Sequence, residues 1–400
     1  MKTLRLTDPI AAAEILKRGG LVAVPTETVY GLAANALDEE AVLRIYEVKG
    51  RPEVKALSVM VSDMHAIDAY CFDVPRAAYS LATAFWPGPL TLIFKAKPGI
   101  PNIVRAGGGT LGLRCPKHPL TLKLLEAAQL PLAAPSANPS GLPAPMTADQ
   151  VLSYFDGQID AVLDGGPCEI GEASTILDLS VAPYKVLRQG ALAEAEIRRT
   201  LAEALTVIGL TGGTGTGKTT ALAVLKGMGA LAIDADAIYH SLLETDAALQ
   251  AELRKNFPGA FINGSLDRKA LGGMVFSDPG ALLKLNAVTH KYVEIEIRRL
   301  LEDWAVSGGT AAAIDAVALI ESGLDKRCDA VIGVLAPEAE RVRRVAAREG
   351  ISESYAKLRA HAQQSDDFYR EHCGYILENN GDLEAFVKKC ETLFRKILHP

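Results

Sequence analysis

The sequence predicts an α/β protein in two halves. The N-terminal half reads as an α+β or mixed twisted sheet, the C-terminal half as a doubly wound parallel sheet headed by a phosphate-binding loop. Three observations carry this. Thr206 to Thr220, TVIGLTGGTGTGKTT, runs from an apolar strand-type segment into a glycine-rich turn, with Gly212, Gly217, Lys218 and Thr219 at the G-x-x-x-x-G-K-[ST] spacing. Beyond it, buried strands alternate with helical runs, the pattern of a parallel sheet with crossover helices. Before it, short strands follow one another with few helices between them.

The totals set the bounds. Four hundred residues suggest two or three domains, and 49% hydrophobic with 22% charged residues describes a globular chain. A formal net charge of -6 argues against bulk electrostatic binding of nucleic acid or an anionic membrane. Six scattered cysteines show no C-x-x-C pair and no metal-type spacing with the seven histidines. Reduced thiols and a cytoplasmic location are expected. The N-terminus lacks a long apolar core with a small-residue cleavage site, and no apolar run approaches 18 residues, so neither a secretory signal nor a membrane span is expected.

In chain order, Pro9 to Gly20 reads as a short amphipathic helix and Leu21 to Pro25 as a buried strand. TETVYGLAANA reads as a turn rich in small residues. Asp38 caps a helix that delivers Lys49 and Arg51 into KGRP, where Pro52 forces the chain to extend. Strands follow at Leu57 to Val61, after the Trp86 to Pro89 corner, and at Thr110 to Pro116. A helix over PLTLKLLEAAQL leads to PLAAPSANPSG, a strand entering a proline-rich loop. Thr147 caps another helix, and AVLDGG, ASTILDLS and YKVLRQG are late strands. Thr26, Thr28, Lys49, Arg51, Thr110, Arg114, Ser136, Asn138, Ser174 and Arg188 gather at strand ends. No Ser-His-Asp, Cys-His or paired-carboxylate set stands out. Cations in loops point instead to an anion site without a P-loop, where charge and positioning do the chemistry.

A helical run over Ala191 to Ala204 joins the halves without a Pro/Ser linker, and the expected domains are 1–203 and 204–400. In the glycine-rich loop, Gly213, Thr214, Gly215, Thr216, Gly217, Lys218, Thr219 and Thr220 are expected to cradle ATP. Lys218 serves the β/γ oxygens and Thr219 offers its hydroxyl to Mg2+. A short strand then ends in Asp234 and Asp236, which suit either a base and metal role or helix caps. The stretch LDRKALGGMVFSDPGALLKLNAVTHKYVEIEIRRLLEDWA is expected to be long and helical. TAAAIDAVALIES reads as a buried strand with Asp315 and Glu321, and an arginine-rich helix spans Glu338 to Gly350. The absence of N-K-x-D speaks against a GTPase.

Two resemblances extend this reading. PTETVYGLAANA, KGRP, FWPGPLTLI, LGLRCP, APSANPSG, DGG, ASTILD and VLRQG occur in the order found in YrdC/TsaC-type threonylcarbamoyl-AMP synthases. Residues 5 to 200 resemble the short form of that family. The likeness implies a YrdC-like mixed sheet with a basic cavity. It also implies that L-threonine, bicarbonate and ATP are joined into threonylcarbamoyl-AMP, toward a modified tRNA adenosine. By motif, Lys49, Arg51, Thr110, Ser136, Asn138 and Arg188 would bind ATP, and Thr26, Arg114, the Ala134 backbone and Ser174 would hold threonine. Ala56 replaces a usual proline, and Gln189 stands where R-P-G is usual.

Residues 206 to 398 resemble dephospho-CoA kinase through GLTGGTGTGKTT, IDAD, LNAVTH, DAVALIE, the R-x-x-R-x-x-x-R helix, Gln363 and ILENNG. That likeness implies Asp236 as the base for the acceptor 3′-hydroxyl and Lys218, Arg344 and Arg348 as catalytic cations, with Mg2+ entering on ATP. Lys291 follows His290 where proline is usual, and the DAVALIE strand departs from D-x-P-L-L-x-E. The expected partners are ATP, L-threonine, bicarbonate and dephospho-CoA, with tRNA or tRNA-modification proteins as further candidates and no membrane. Two alternatives stay open: a non-catalytic RNA-binding first half, and a kinase half with a different acceptor.

Overall fold

The computed structural model describes residues 2–276 and 278–398. Ser277, inside the stretch expected to be helical, lies outside the described residues. Two compact units emerge, Met1–Ala204 with Val306–Gly308, and Leu205–Ala305 with Gly309–Pro400.

The first unit is built on one mixed sheet. Its strands run in the order Leu4–Leu6, Ala161–Leu163, Val22–Val24, Gly31–Asn35, Leu132–Ala133, Ser58–Met60, Thr110–Arg114, Leu90–Ala96, Thr175–Asp178 and Lys185–Arg188, with Cys71–Phe72 paired to Leu90–Ala96. Parallel and antiparallel neighbours mix, as in Leu4–Leu6 beside Ala161–Leu163 and Leu90–Ala96 against Thr110–Arg114. Helices Pro9–Lys17 and Pro119–Ala128 cover one face, burying Ala12, Leu16, Leu124 and Leu125 against Val22, Val24, Ala33 and Leu132. Burying each leucine or valine among them contributes roughly 1.5–3 kcal/mol.

Two local expectations need correcting. GLAAN is a strand, Gly31–Asn35, antiparallel to Val22–Val24, not part of a turn. Its Gly and Ala have low strand propensity, but burial between neighbours overrides that preference. The half is also richer in helix than its pattern suggests. Residues 62–85, where the sequence picks out no element, hold helices His65–Tyr70 and Arg76–Phe85. Asp38 does cap Glu39–Lys49, accepting from the Glu40 and Ala41 N–H groups.

The second unit is a five-stranded, all-parallel sheet in the order Leu231–Asp234, Ala311–Asp315, Thr206–Thr211, Ala330–Leu335 and Tyr375–Glu378. The central strand carries the phosphate loop at its C-terminal end, where α/β sheets bind ligands. Helices Lys218–Gly227 and Leu383–Leu398 pack on one face through Ala221, Leu225, Phe386, Cys390 and Phe394. A separate helical cluster forms around Leu249, Leu253, Phe257 and Leu285. The long helical stretch is two helices, Arg268–Phe276 and Pro279–Val306. Helices Glu338–Glu349 and Glu353–His361 share a small core of Val342, Val345 and Ala356. So little buried apolar surface makes this pair the first part of the unit expected to open. Among the described residues, no helix is long and apolar enough to cross a membrane.

Candidate active sites

The phosphate loop connects strand Thr206–Thr211 to helix Lys218–Gly227 through three glycines with positive φ, Gly212 at 133°, Gly215 at 83° and Gly217 at 109°. Gly212 is the tightest: a Cβ there would lie 2.2 Å from the Val334 carbonyl oxygen. Strain of this kind costs on the order of 1–3 kcal/mol. Gly212→Ala is therefore expected to lower the thermal midpoint of this unit by several degrees and to weaken nucleotide binding, as differential scanning calorimetry with and without ATP would read.

Lys218 is buried, and its Nζ donates to the Gly212 carbonyl at 2.8 Å. Burial pulls its pKa down, opposed by Asp315 and Asp236. A cavity of about 400 Å³ opens over the loop, lined by Thr214, Gly215, Gly217, Lys218, Thr219 and Thr220, by Asp234, Asp236 and Asp315, and by Arg344, Arg348 and Arg359. Gly213 and Thr216 lie outside that lining; the Thr216 hydroxyl donates back to the Gly213 carbonyl, tightening the turn.

Asp236 sits in the first turn of helix Ala235–Thr245, two residues past Asp234, where the strand ends, and not at the strand end where the sequence pattern places it. Asp234 is that helix's cap, accepting from the Ala237 N–H at 2.9 Å. Burial raises the pKa of Asp236, reinforced by Asp234, and pushes Asp315 up to about 6, opposed by Lys218. Strand Ala311–Asp315 ends at Asp315, so Glu321 falls beyond it. Thr219 offers a hydroxyl, Asp236 and Asp315 offer carboxylates, and such hard oxygen donors suit Mg2+. Among the described residues no three His, Cys, Asp or Glu side chains converge as a ligand set, so phosphate and water oxygens would complete the shell.

The arginines of Glu338–Glu349 divide their work. Arg343 faces solvent and pairs with Glu340, whereas Arg344 donates to the Gly215 carbonyl at 3.3 Å. Arg348 and Arg359 share the carboxylate of Glu349. Arg341 is buried against the loop, donating to the Thr214 carbonyl at 3.3 Å and to Gln363 Oε1 at 3.2 Å. Gln363 in turn accepts from the Thr214 N–H and donates to its hydroxyl. Asn379 holds the Thr216 carbonyl at 2.8 Å. Arg359 and Asn379 were not singled out by spacing. Arg359 reaches the cavity and Asn379 the loop from distant segments, which periodicity cannot report.

The first unit holds a cavity of about 200 Å³ lined by Arg51, Arg114, Ala134, Ser136, Ser174 and Arg188 among others. Lys49, the last residue of its helix, is buried beside it, with Nζ donating to the Ser136 and Asn138 carbonyls. Arg51 donates to the carbonyls of Lys55 and Ala56, and Arg188 to the carbonyl and hydroxyl of Ser174. Burial brings Lys49 down to about 8, aided by Arg51, and it lowers Arg51 and Arg188 as well.

Thr26 is outside the lining, its hydroxyl donating to the Val29 carbonyl and meeting Thr28 Oγ1 at 2.8 Å. Ser174 Oγ meets Thr91 Oγ1 at 2.9 Å. The Ala134 N–H is committed to the Ser58 carbonyl, and its own carbonyl accepts from the Ser58 hydroxyl at 3.5 Å. Thr110 is exposed at its strand's start and lies outside the lining. Asn138 keeps a buried Oδ1 without a hydrogen-bond partner. Glu27, also not singled out by spacing, is 3% exposed and holds Arg114 at 2.8 Å.

Comparison with known proteins matches both halves. The Sua5/YciO/YrdC family, described as telomere recombination, covers residues 14–190, and the dephospho-CoA kinase family covers residues 206–385. A threonylcarbamoyl-AMP synthase of Pyrococcus abyssi is 44% identical over 192 residues, 48% of this chain and 56% of that protein. The chain thus spans little more than half of that relative's length. A Mycobacterium tuberculosis protein, provisionally named threonylcarbamoyl-AMP synthase, is 38% identical over 192 residues, 48% of this chain and 88% of its own. A dephospho-CoA kinase of Anaeromyxobacter dehalogenans is 38% identical over 189 residues, 47% of this chain and 90% of its own. The chain belongs to both families: its first half to Sua5/YciO/YrdC, and its second to dephospho-CoA kinase.

Proposed function

We propose that the chain is a bifunctional enzyme. The first half makes threonylcarbamoyl-AMP from L-threonine, bicarbonate and ATP; the second phosphorylates the 3′-hydroxyl of dephospho-CoA with ATP. The observation that carries the first activity is a set of cations, buried Lys49, half-buried Arg51 and exposed Arg188, whose described partners are carbonyl and hydroxyl oxygens, not carboxylates. A triphosphate answers that uncompensated charge. Threonine carbamate attacks the α-phosphorus, its P–O bond to pyrophosphate breaks, and Lys49 and Arg51 take the charge developing on the leaving group. Ser136, Asn138 and Arg188 hold the nucleotide; Arg114, Ser174, Thr26 and Ala134 frame the threonine end.

In the second half the acceptor hydroxyl gives its proton to Asp236, its oxygen attacks the γ-phosphorus, and the bond from that phosphorus to the bridging oxygen breaks, releasing ADP. Lys218 and Arg344, with Arg348 and Arg359, stabilise the transferring group. Thr219, with Asp236 and Asp315 nearby, would hold Mg2+, which would supply charge neutralisation to the phosphates. The six free cysteines suit a reducing, cytoplasmic compartment, and tRNA or its modifying proteins would meet the first product downstream.

Two assays test the reading. Pyrophosphate release should require threonine and bicarbonate together; release without either one overturns the synthase assignment. ADP formation should require dephospho-CoA; equal turnover on unrelated nucleosides overturns the acceptor assignment.

A further inference from the structure

All three polar groups of Thr214, in the middle of the phosphate loop, are held by two side chains 127 and 149 positions further along the chain. Its N–H donates to Gln363 Oε1 at 2.8 Å, its hydroxyl accepts from Gln363 Nε2 at 2.7 Å, and its carbonyl accepts from Arg341 Nε at 3.3 Å. Arg341 Nη2 closes the set on Gln363 Oε1 at 3.2 Å. The approach leaves room only for glycine beside it: a Cβ on Gly213 would lie 2.0 Å from Arg341 Nη2 and 3.0 Å from Gln363 Oε1. Arg341 is 7% exposed, with Asp366 Oδ1 3.9 Å from its Nη1.

Arg341 shares helix Glu338–Glu349 with Arg344 and Arg348, at the i, i+3 and i+7 positions of one helical face. Arg344 donates to the Gly215 carbonyl at 3.3 Å, and both Arg344 and Arg348 line the phosphate cavity. The helix therefore meets the loop along this face, and Arg341, the buried member, fixes its rotation. Such a tie matters because this helix and Glu353–His361 share a core of just Val342, Val345 and Ala356 among the described residues. Neither Arg341 nor Gln363 lines the cavity, so each acts through Thr214 and the helix, not by touching nucleotide. We propose that Arg341 and Gln363 are positioning residues for phosphoryl transfer. They fasten the arginine-bearing helix to Thr214, and this sets Arg344 and Arg348 over the γ-phosphoryl. The inference rests on the kinase reading above.

The test measures the preference of the full chain for ATP over ADP, with Mg2+, by isothermal titration calorimetry in a Lys49→Ala background that silences the first cavity. That preference reads the grip on the γ-phosphoryl. Gln363→Leu, which keeps size but cannot hold Thr214, should lose about tenfold or more of it, the scale of one hydrogen bond to a charged group. In an Arg344→Ala/Arg348→Ala background the same change should cost no more than about twofold, because the groups it misplaces are already gone. In ADP formation, Gln363→Leu should lower kcat and leave KM for dephospho-CoA unchanged. A folded Gln363→Leu with the wild-type preference overturns the proposal, and so do losses that multiply in the combined variant. Arg341→Lys keeps the charge but not the fork and should behave as Gln363→Leu. If Gln363→Leu fails to fold, a wild-type preference in Arg341→Lys overturns the proposal. If neither folds, hydrogen exchange on the unmutated chain decides: the Thr214 N–H should be protected without nucleotide, and free exchange there overturns the proposal. The expected pattern of ATP preference with no ADP formed from dephospho-CoA would remove the kinase reading and leave the positioning role standing.

Discussion

Replacing Lys218 with alanine is expected to abolish phosphoryl transfer to dephospho-CoA, with kcat/KM falling by about 10²–10³-fold, the cost of deleting one preorganised donor to developing oxyanion charge. The argument is geometric. The lysine is buried, held by the Gly212 carbonyl at 2.8 Å, and shares its cavity with Asp236, Asp315 and three arginines. Those arginines are the fallback. Arg344 rests on the Gly215 carbonyl, and Arg348 and Arg359 share Glu349, so each must leave a partner to reach phosphate. Initial rates with saturating dephospho-CoA and varied ATP read the result. A loss below about tenfold would mean that these arginines, not Lys218, carry the transferred charge. Because the lysine also offsets Asp315 and Asp236, its removal should push both carboxyls further up. The residual activity should then rise with pH where wild-type activity is flat.

Lys49→Ala is expected to cost the synthase reaction a comparable factor, roughly 10²–10³-fold in kcat/KM. The accompanying pH signature is specific to this lysine. Burial holds its pKa at about 8, against an ordinary value of 10.5. Below pH 8 the empty site already carries the ammonium; above it the amine is neutral, and an anion must bring a proton with it. Pyrophosphate affinity should therefore fall as pH rises above 8, approaching about tenfold per unit, the linkage of one proton. Stability moves the other way. Between pH 8 and 10.5 the unfolded chain binds more protons at this lysine than the folded one. That one group therefore makes the empty protein more stable as pH rises through the window. Calorimetric titration with pyrophosphate from pH 7 to 9.5, in a Lys218→Ala background that silences the phosphate loop, separates these. A flat affinity across that range would mean the lysine stays charged in the empty site.

The phosphate loop was legible because its chemistry is local. Glycines, Lys218 and Thr219 must stand at fixed spacing for backbone N–H groups to face a phosphate, so the function is written in adjacent letters. The parallel sheet followed from the same logic, since strands such as Ala311–Asp315 and Ala330–Leu335 are buried on both faces and read as apolar runs. The YrdC-type motifs were legible as a set even though no single Thr, Lys or Arg in them declares a role. GLAAN misled because its small residues resemble a turn until neighbouring strands supply the pairing.

What the sequence determined by itself was two halves of different families, the order of their motifs and the identity of their charged groups, because each is set by residue type and short-range spacing. Only the tertiary structure decided which charges are compensated. Glu27 and Arg114 lie 87 positions apart yet form one buried pair, Gln363 reaches Thr214 across 149, and Lys49 finds the Ser136 carbonyl across 87. Charge balance in a low-dielectric cavity depends on distance in space and on burial. Neither is a property of neighbours along the chain.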